Sequence, residues 1–187
     1  ISVREFSEDK YLAMITKQGI IKKTDMSSFA NIRKSGLIAL NLREDDDLIS
    51  VMTVEKDDHI FVATRKGMGI KFNEQDARPM GRTATGVKAI TLNEGDYVVS
   101  ALKVDPNGQI LTVTEKGFGK QTTVDQFNLQ YRGGKGLKIH QLTEKTGDLT
   151  GVLMIGENDE LMLITSEGVI IRLRAKDISS YGRVSQG

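Results

Sequence analysis

The chain has 187 residues, 39% of them hydrophobic, with 26 Lys/Arg against 25 Asp/Glu and a net charge of +1. That hydrophobic content suffices for a packed core, and the lack of cysteine excludes disulfides, thiolate nucleophiles and cysteine-based metal sites. A near-neutral total does not suggest a general polyanion binder, so a nucleic-acid surface would need positive charge segregated onto one face.

Residues 1–10 carry neither a signal peptide nor a start methionine and are expected to be the tail of a preceding repeat. From Tyr11 the chain repeats itself. Tyr11 to Lys23 reads YLAMITKQGIIKK, Ile60 to Lys71 IFVATRKGMGIK, Ile110 to Lys120 ILTVTEKGFGK, and Leu161 to Arg172 LMLITSEGVIIR. Each is an apolar run, a threonine (Thr16, Thr64, Thr114, Thr165), a glycine (Gly19, Gly67, Gly117, Gly168) and a short run ending in a cation. A second glycine keeps the same beat at Gly36, Gly86, Gly136 and Gly187, with Arg33, Arg82, Arg132 and Arg183 upstream of it. Asp47-Leu48, Asp96-Tyr97 and Asp148-Leu149 follow further on.

Short runs rich in Ile, Val, Leu and Thr, broken by Gly, Asn and Asp, read as strands, and Lys-Gly or Gln-Gly between two such runs reads as a hairpin turn. Residues 38–42 and 87–92 partly alternate and are expected to be half-buried strands. No segment carries a helical stripe, and Pro79 and Pro106 fall in loops. Repeats of about 50 residues with four strands apiece point to an all-β, propeller-like ring. The expected repeats are about 11–58, 59–107, 108–157 and a truncated 158–187, forming one fragment. No apolar run approaches the ~20 residues of a membrane span.

Cations recur once per repeat, which would place them around a rim. One set follows or sits in the hairpin turn: Lys22, Lys23, Arg65, Lys66, Lys71, Lys116, Lys120, Arg172 and Arg174. Another precedes the second glycine: Arg33, Lys34, Arg82, Arg132, Lys135 and Arg183. Acids gather elsewhere, as in Glu44–Asp47 and Asp57-Asp58. Duplex DNA following such a rim would bend, at a cost of about 1–6 kcal/mol for 20–30 base pairs, offset by phosphate contacts. No base-reading set is evident. The same cations could instead be solubilising edge charges.

Gln130-Tyr131-Arg132-Gly133-Gly134-Lys135-Gly136 concentrates two cations and three glycines in seven residues, a composition suited to bringing backbone N–H groups close to an anion. Tyr131 is expected to be partly buried. His59 and His140 lack a second ligand nearby, Asp45–Asp47 lacks calcium-loop spacing, and Gly67-Met68-Gly69 and Gly117-Phe118-Gly119 lack the strand–loop–helix setting of nucleotide loops.

These motifs carry a family resemblance. Ile1–Phe6, Gly19–Thr24, Met80–Val87, Leu111–Lys120 and Gly182–Gly187 resemble the DNA gyrase A C-terminal domain family, in the type IIA topoisomerases. The resemblance implies a β-pinwheel of six blades, about four of them represented here. It implies a family box of Gln, basic, Arg, Gly, Gly, basic, Gly. Gln130–Gly136 fits that box except at Tyr131, which replaces a basic residue. The family box belongs to the first blade, so by register this chain runs from the second blade onward, with the box upstream. Further implications are double-stranded DNA as partner, assembly with the rest of gyrase A and with gyrase B, and a cytoplasmic location. ATP and Mg2+ are expected on other domains, with no cofactor, metal or catalytic residue here. The equivalent domain of topoisomerase IV and a protein-binding propeller are the alternatives.

Overall fold

A computed structural model describes residues 1–187. It contains thirteen strands, in chain order β1 (Tyr11–Thr16), β2 (Ile20–Asp25), β3 (Leu48–Val54), β4 (His59–Thr64), β5 (Met68–Asn73), β6 (Val87–Lys88), β7 (Val98–Lys103), β8 (Gln109–Thr114), β9 (Gly119–Thr123), β10 (Leu137–Lys138), β11 (Leu149–Ile155), β12 (Glu160–Ile164) and β13 (Ile170–Arg174). Four short 3-10 turns complete the regular structure, and no helix is long and apolar enough to cross a membrane.

The repeated Thr and Gly build the hairpins β1–β2, β4–β5, β8–β9 and β12–β13. The Oγ1 of Thr16, Thr64, Thr114 and Thr165 accepts the N–H four residues on, at 3.2, 3.2, 3.1 and 3.1 Å. The turn glycines hold φ of 81–83°, a region that other L residues rarely enter. β3, β7 and β11 pair antiparallel with β1, β4 and β8.

Alternation sends each strand's two faces into different cores. In β4, Ile60 and Val62 pack with Ala13, Ile15, Ile21 and Val54 on one side. Phe61 and Ala63 pack with Ile110, Phe127, Leu149 and Val152 on the other. The Phe61 and Phe127 rings meet edge-on, centroids 5.0 Å apart. A sheet buried on both faces depends on its neighbours, as in any stacked-repeat architecture.

The strand order defines an inside and an outside. Ser50 Oγ donates to Ala101 O at 2.9 Å, and Ser100 Oγ donates to Val152 O at 2.8 Å, so β3, β7 and β11 run side by side. The first two sheets run β3-β1-β2-β6 and β7-β4-β5-β10, which puts β6 and β10 at the opposite, outer edge. Each outer strand comes from the following repeat: β6 pairs with β2, and β10 with β5. Blades therefore exchange strands, and sequence repeats and blades do not coincide. The half-buried strands expected over 38–42 and 87–92 shrink accordingly. Only Val87–Lys88 of the second pairs, and residues 38–42 form no strand.

Candidate nucleic-acid interface

After the second, third and fourth 3-10 turns the chain crosses back onto the preceding blade. Met80 N–H donates to Lys23 O at 2.7 Å, Gln130 N–H to Lys71 O at 2.8 Å, and Tyr181 N–H to Gln121 O at 3.0 Å. At Gly86, Gly136 and Gly187 the second glycine of the beat is dictated by this crossing. A Cβ on Gly86 would lie 2.5 Å from Ile21 O and one on Gly187 2.7 Å from Gly119 O, while Gly136 faces Gly69 O.

The crossing loops also bind one another. Asn41 Nδ2 donates to Thr83 O at 2.7 Å, Thr91 N–H to Gly134 O at 2.8 Å, and Gln141 N–H to Ser185 O at 2.9 Å. Guanidinium groups make the same link: Arg132 Nη1 to Lys88 O at 3.0 Å, Arg183 Nη1 to Lys138 O at 2.6 Å, and a longer Arg82 Nη1 to Ile38 O at 3.5 Å. The loops thus form one continuous belt along the outer edge.

Charge is segregated onto that belt. Residues 28–43, 78–92, 128–142 and 178–187 hold ten Lys/Arg and no Asp or Glu. The rest of the chain holds sixteen Lys/Arg and all 25 acids, a balance of −9. The one carboxylate bonded to the belt is Asp76, which accepts Arg132 N–H at 3.3 Å while its backbone oxygen accepts Arg132 Nε at 2.8 Å. Phosphate neutralisation is what such a surface can do chemically.

The sequence-predicted cations divide. Arg82, Arg132, Lys135 and Arg183 lie on the belt, as do the glycines and Gln130 of the box-like loop; Arg33 and Lys34 are exposed in the first of the acid-free segments. Tyr131 is 67% exposed rather than partly buried, with the Arg132 guanidinium 5.6 Å from its ring. Lys88 and Lys138, exposed on β6 and β10, escaped the sequence reading because they follow the second glycine. The absence of acids from these segments was the signal that would have found them.

The cations after the hairpin are corrected from rim to interior. Lys22, Lys23 and Lys120 are buried, and Lys71 is half-buried. Lys22 Nζ donates to the carbonyls of Ala39 and Arg82. Lys120 Nζ donates to Gly182 O and Arg183 O at 2.8 Å and to Ser185 O at 3.1 Å. Lys23 pairs with Glu74 inside the protein, and Lys71 Nζ donates to Val124 O at 3.0 Å. Lys22 and Lys120 stand third after the turn glycine, Lys23 and Lys71 fourth, so the two pairs project from opposite faces of their strands. Burial, reinforced by the Arg82 and Arg183 charges, lowers Lys22 and Lys120 to a pKa of about 8 each. Burial also lowers Lys71, against an upward pull from Asp125.

Three more candidates sit among acids at the hairpin turns. Arg65 Nη2 is 2.9 Å from Asp148 and 3.7 Å from Glu115, Lys66 Nζ is 3.7 Å from Asp148, and Lys116 Nζ binds Glu144 O. Arg172 pairs with Glu160 across β12–β13, and Arg174 is exposed at the end of β13.

The family model of the DNA gyrase C-terminal domain, a beta-propeller, matches residues 10–55, 58–105, 108–155 and 159–187. The chain belongs to the DNA gyrase C-terminal domain family. Among curated relatives of this family domain, the DNA gyrase A protein of Clostridium acetobutylicum is 58% identical over 187 residues, the whole of this chain. The chain spans about a fifth (22%) of that relative's length. Among solved structures, the C-terminal domain of a DNA topoisomerase IV superimposes with a TM-score of 0.93 at 27% identity, covering 100% of this chain and 59% of that one. A DNA gyrase A C-terminal domain superimposes with a TM-score of 0.88 at 28% identity, covering 99% and 62%. The expected β-pinwheel is the architecture found.

Proposed function

We propose that this chain binds and wraps duplex DNA along its outer belt, as the accessory domain of a DNA gyrase. The observation that carries the reading is the belt itself: mutually bonded loops of successive blades, bearing ten cations and no acid. A duplex laid on it would bend with the ring, and backbone phosphates rather than base edges would be contacted. The wrapped segment would be presented to the strand-passing machinery of gyrase A and gyrase B in the cytoplasm. ATP and Mg2+ would act on those other domains, and no catalytic step would occur here.

The test is a titration of linear duplex at several salt concentrations, followed by ligation of a nicked plasmid in the protein's presence. Salt-dependent binding with a shift in linking number supports wrapping. Salt-insensitive or absent binding would move the domain to the protein-binding class. Bending without a linking-number shift would favour the topoisomerase IV reading, which the 0.93 superposition keeps in view.

A further inference from the structure

We propose that the peptide N–H groups of Thr83 and Val184 are phosphate-binding sites of the belt, each created by a buried lysine that draws the preceding carbonyl inward. The inference rests on the DNA reading above and names atoms that reading does not. Arg82 O accepts from Lys22 Nζ, and Arg183 O accepts from Lys120 Nζ. Every peptide in the chain is trans, so an inward carbonyl forces the N–H of the next residue to point the opposite way. Those N–H groups belong to Thr83 and Val184. Both residues are exposed, and neither N–H donates within the protein. Each sits in a tight turn beside a guanidinium, closed by Ala84 N–H to Gly81 O at 3.1 Å and by Ser185 N–H to Gly182 O at 3.2 Å.

The middle loop is the internal control. Ile70 stands where the other two blades have lysine, its Cδ1 3.9 Å from the Cβ position of Gly134. With no ammonium beneath, the corresponding peptide is inverted: Gly133, at φ +89°, donates its N–H inward to Ala89 O at 2.7 Å. Arg132 O then faces outward, and Lys135 brings a second cation to the surface instead. Each station therefore keeps two positive groups: Lys22 with Arg82, Arg132 with Lys135, and Lys120 with Arg183. An outward N–H backed by a positive charge is a ready anion site, and a phosphodiester oxygen is the anion a duplex offers there. The lowered pKa of both lysines, about 8 each, adds a readout between pH 7 and pH 9.

The experiment measures affinity for a short linear duplex at pH 7 and pH 9, for the wild-type chain and for K22M/K120M, with amide shifts of Thr83 and Val184 followed at pH 7. Wild-type affinity is expected to fall several-fold from pH 7 to pH 9. The double variant should start weaker and stay flat, its salt slope smaller in magnitude by about 2, near 0.9 per lost phosphate. The Thr83 and Val184 amides should shift with added duplex. A wild-type affinity equal at both pH values, or unmoved amides while Arg132 and Lys135 signals shift, would overturn the inference and leave the DNA reading intact. Absent duplex binding at pH 7 would overturn both. Should the double variant fail to fold, the wild-type pH series and the amide shifts decide alone.

Discussion

Arg132 reaches out of the third repeat and donates to the backbone carbonyl of Lys88, in the second, at 3.0 Å. Its Nε also holds Asp76 O at 2.8 Å, so one guanidinium joins two elements of the neighbouring repeat. Arg132→Ala is expected to lower stability by about 1.5–3 kcal/mol, the range for hydrogen bonds to charged groups. It should also weaken duplex binding. Arg132→Lys keeps the charge but cannot satisfy both carbonyls in that planar arrangement, so it should recover the salt slope better than the melting temperature.

Lys88, Lys135 and Lys138 are exposed on the belt. Each Lys→Ala change should reduce the magnitude of the salt slope by about 0.9 and leave thermal stability within ~0.5 kcal/mol. Arg65→Ala and Lys66→Ala make the contrast. Their charges are answered by Asp148, so duplex titrations should hardly change.

Gly136 combines φ of +76° with a Cβ position blocked by Gly69 O. Gly136→Ala should cost more than the about 1–3 kcal/mol of backbone strain alone, because the backbone of β5 would have to move. Gly36 has a similar φ of +79° but open space around it, so Gly36→Ala should stay within that range. Chemical denaturation of both variants checks the difference.

Glu74 is buried against the Lys23 ammonium. Glu74→Ala leaves that charge unpaired and should destabilise by about 3–5 kcal/mol, whereas the apolar double replacement K23M/E74L should lose far less. A denaturant series on the two variants separates breaking the pair from removing it.

Lys22 and Lys120 bind protons less tightly when folded, at about 8 against 10.5 unfolded. Between those values the unfolded chain holds more protons, so stability contributed by these groups rises with pH from about 8 to 10.5. K22M/K120M should flatten that rise in melting temperature. Duplex affinity runs the other way, falling between pH 7 and pH 9 around the folded pKa of about 8, so the two profiles diverge where they overlap. His140, bonded at both ring nitrogens to Thr112 and Gln186, has its pKa lowered by burial from 6.5 and should add a loss of stability as pH falls below that value.

The repeat is legible in the residues alone. Thr16 and Gly19, with their three sets of counterparts, are local turn chemistry, and local chemistry is visible in a one-dimensional pattern. The beat of Gly36, Gly86, Gly136 and Gly187 likewise marked the loops that carry the cations. Which cations face solvent is a matter of packing, and no pattern along the chain carries it. Lys22 and Lys23 are neighbours on one strand and point to opposite sides, and here both sides are covered, one by the crossing loop and one by the 3-10 turn of the following repeat. That covering comes from the following repeat, through contacts between residues 60 and 51 positions apart, and nothing in a short window of sequence can register it.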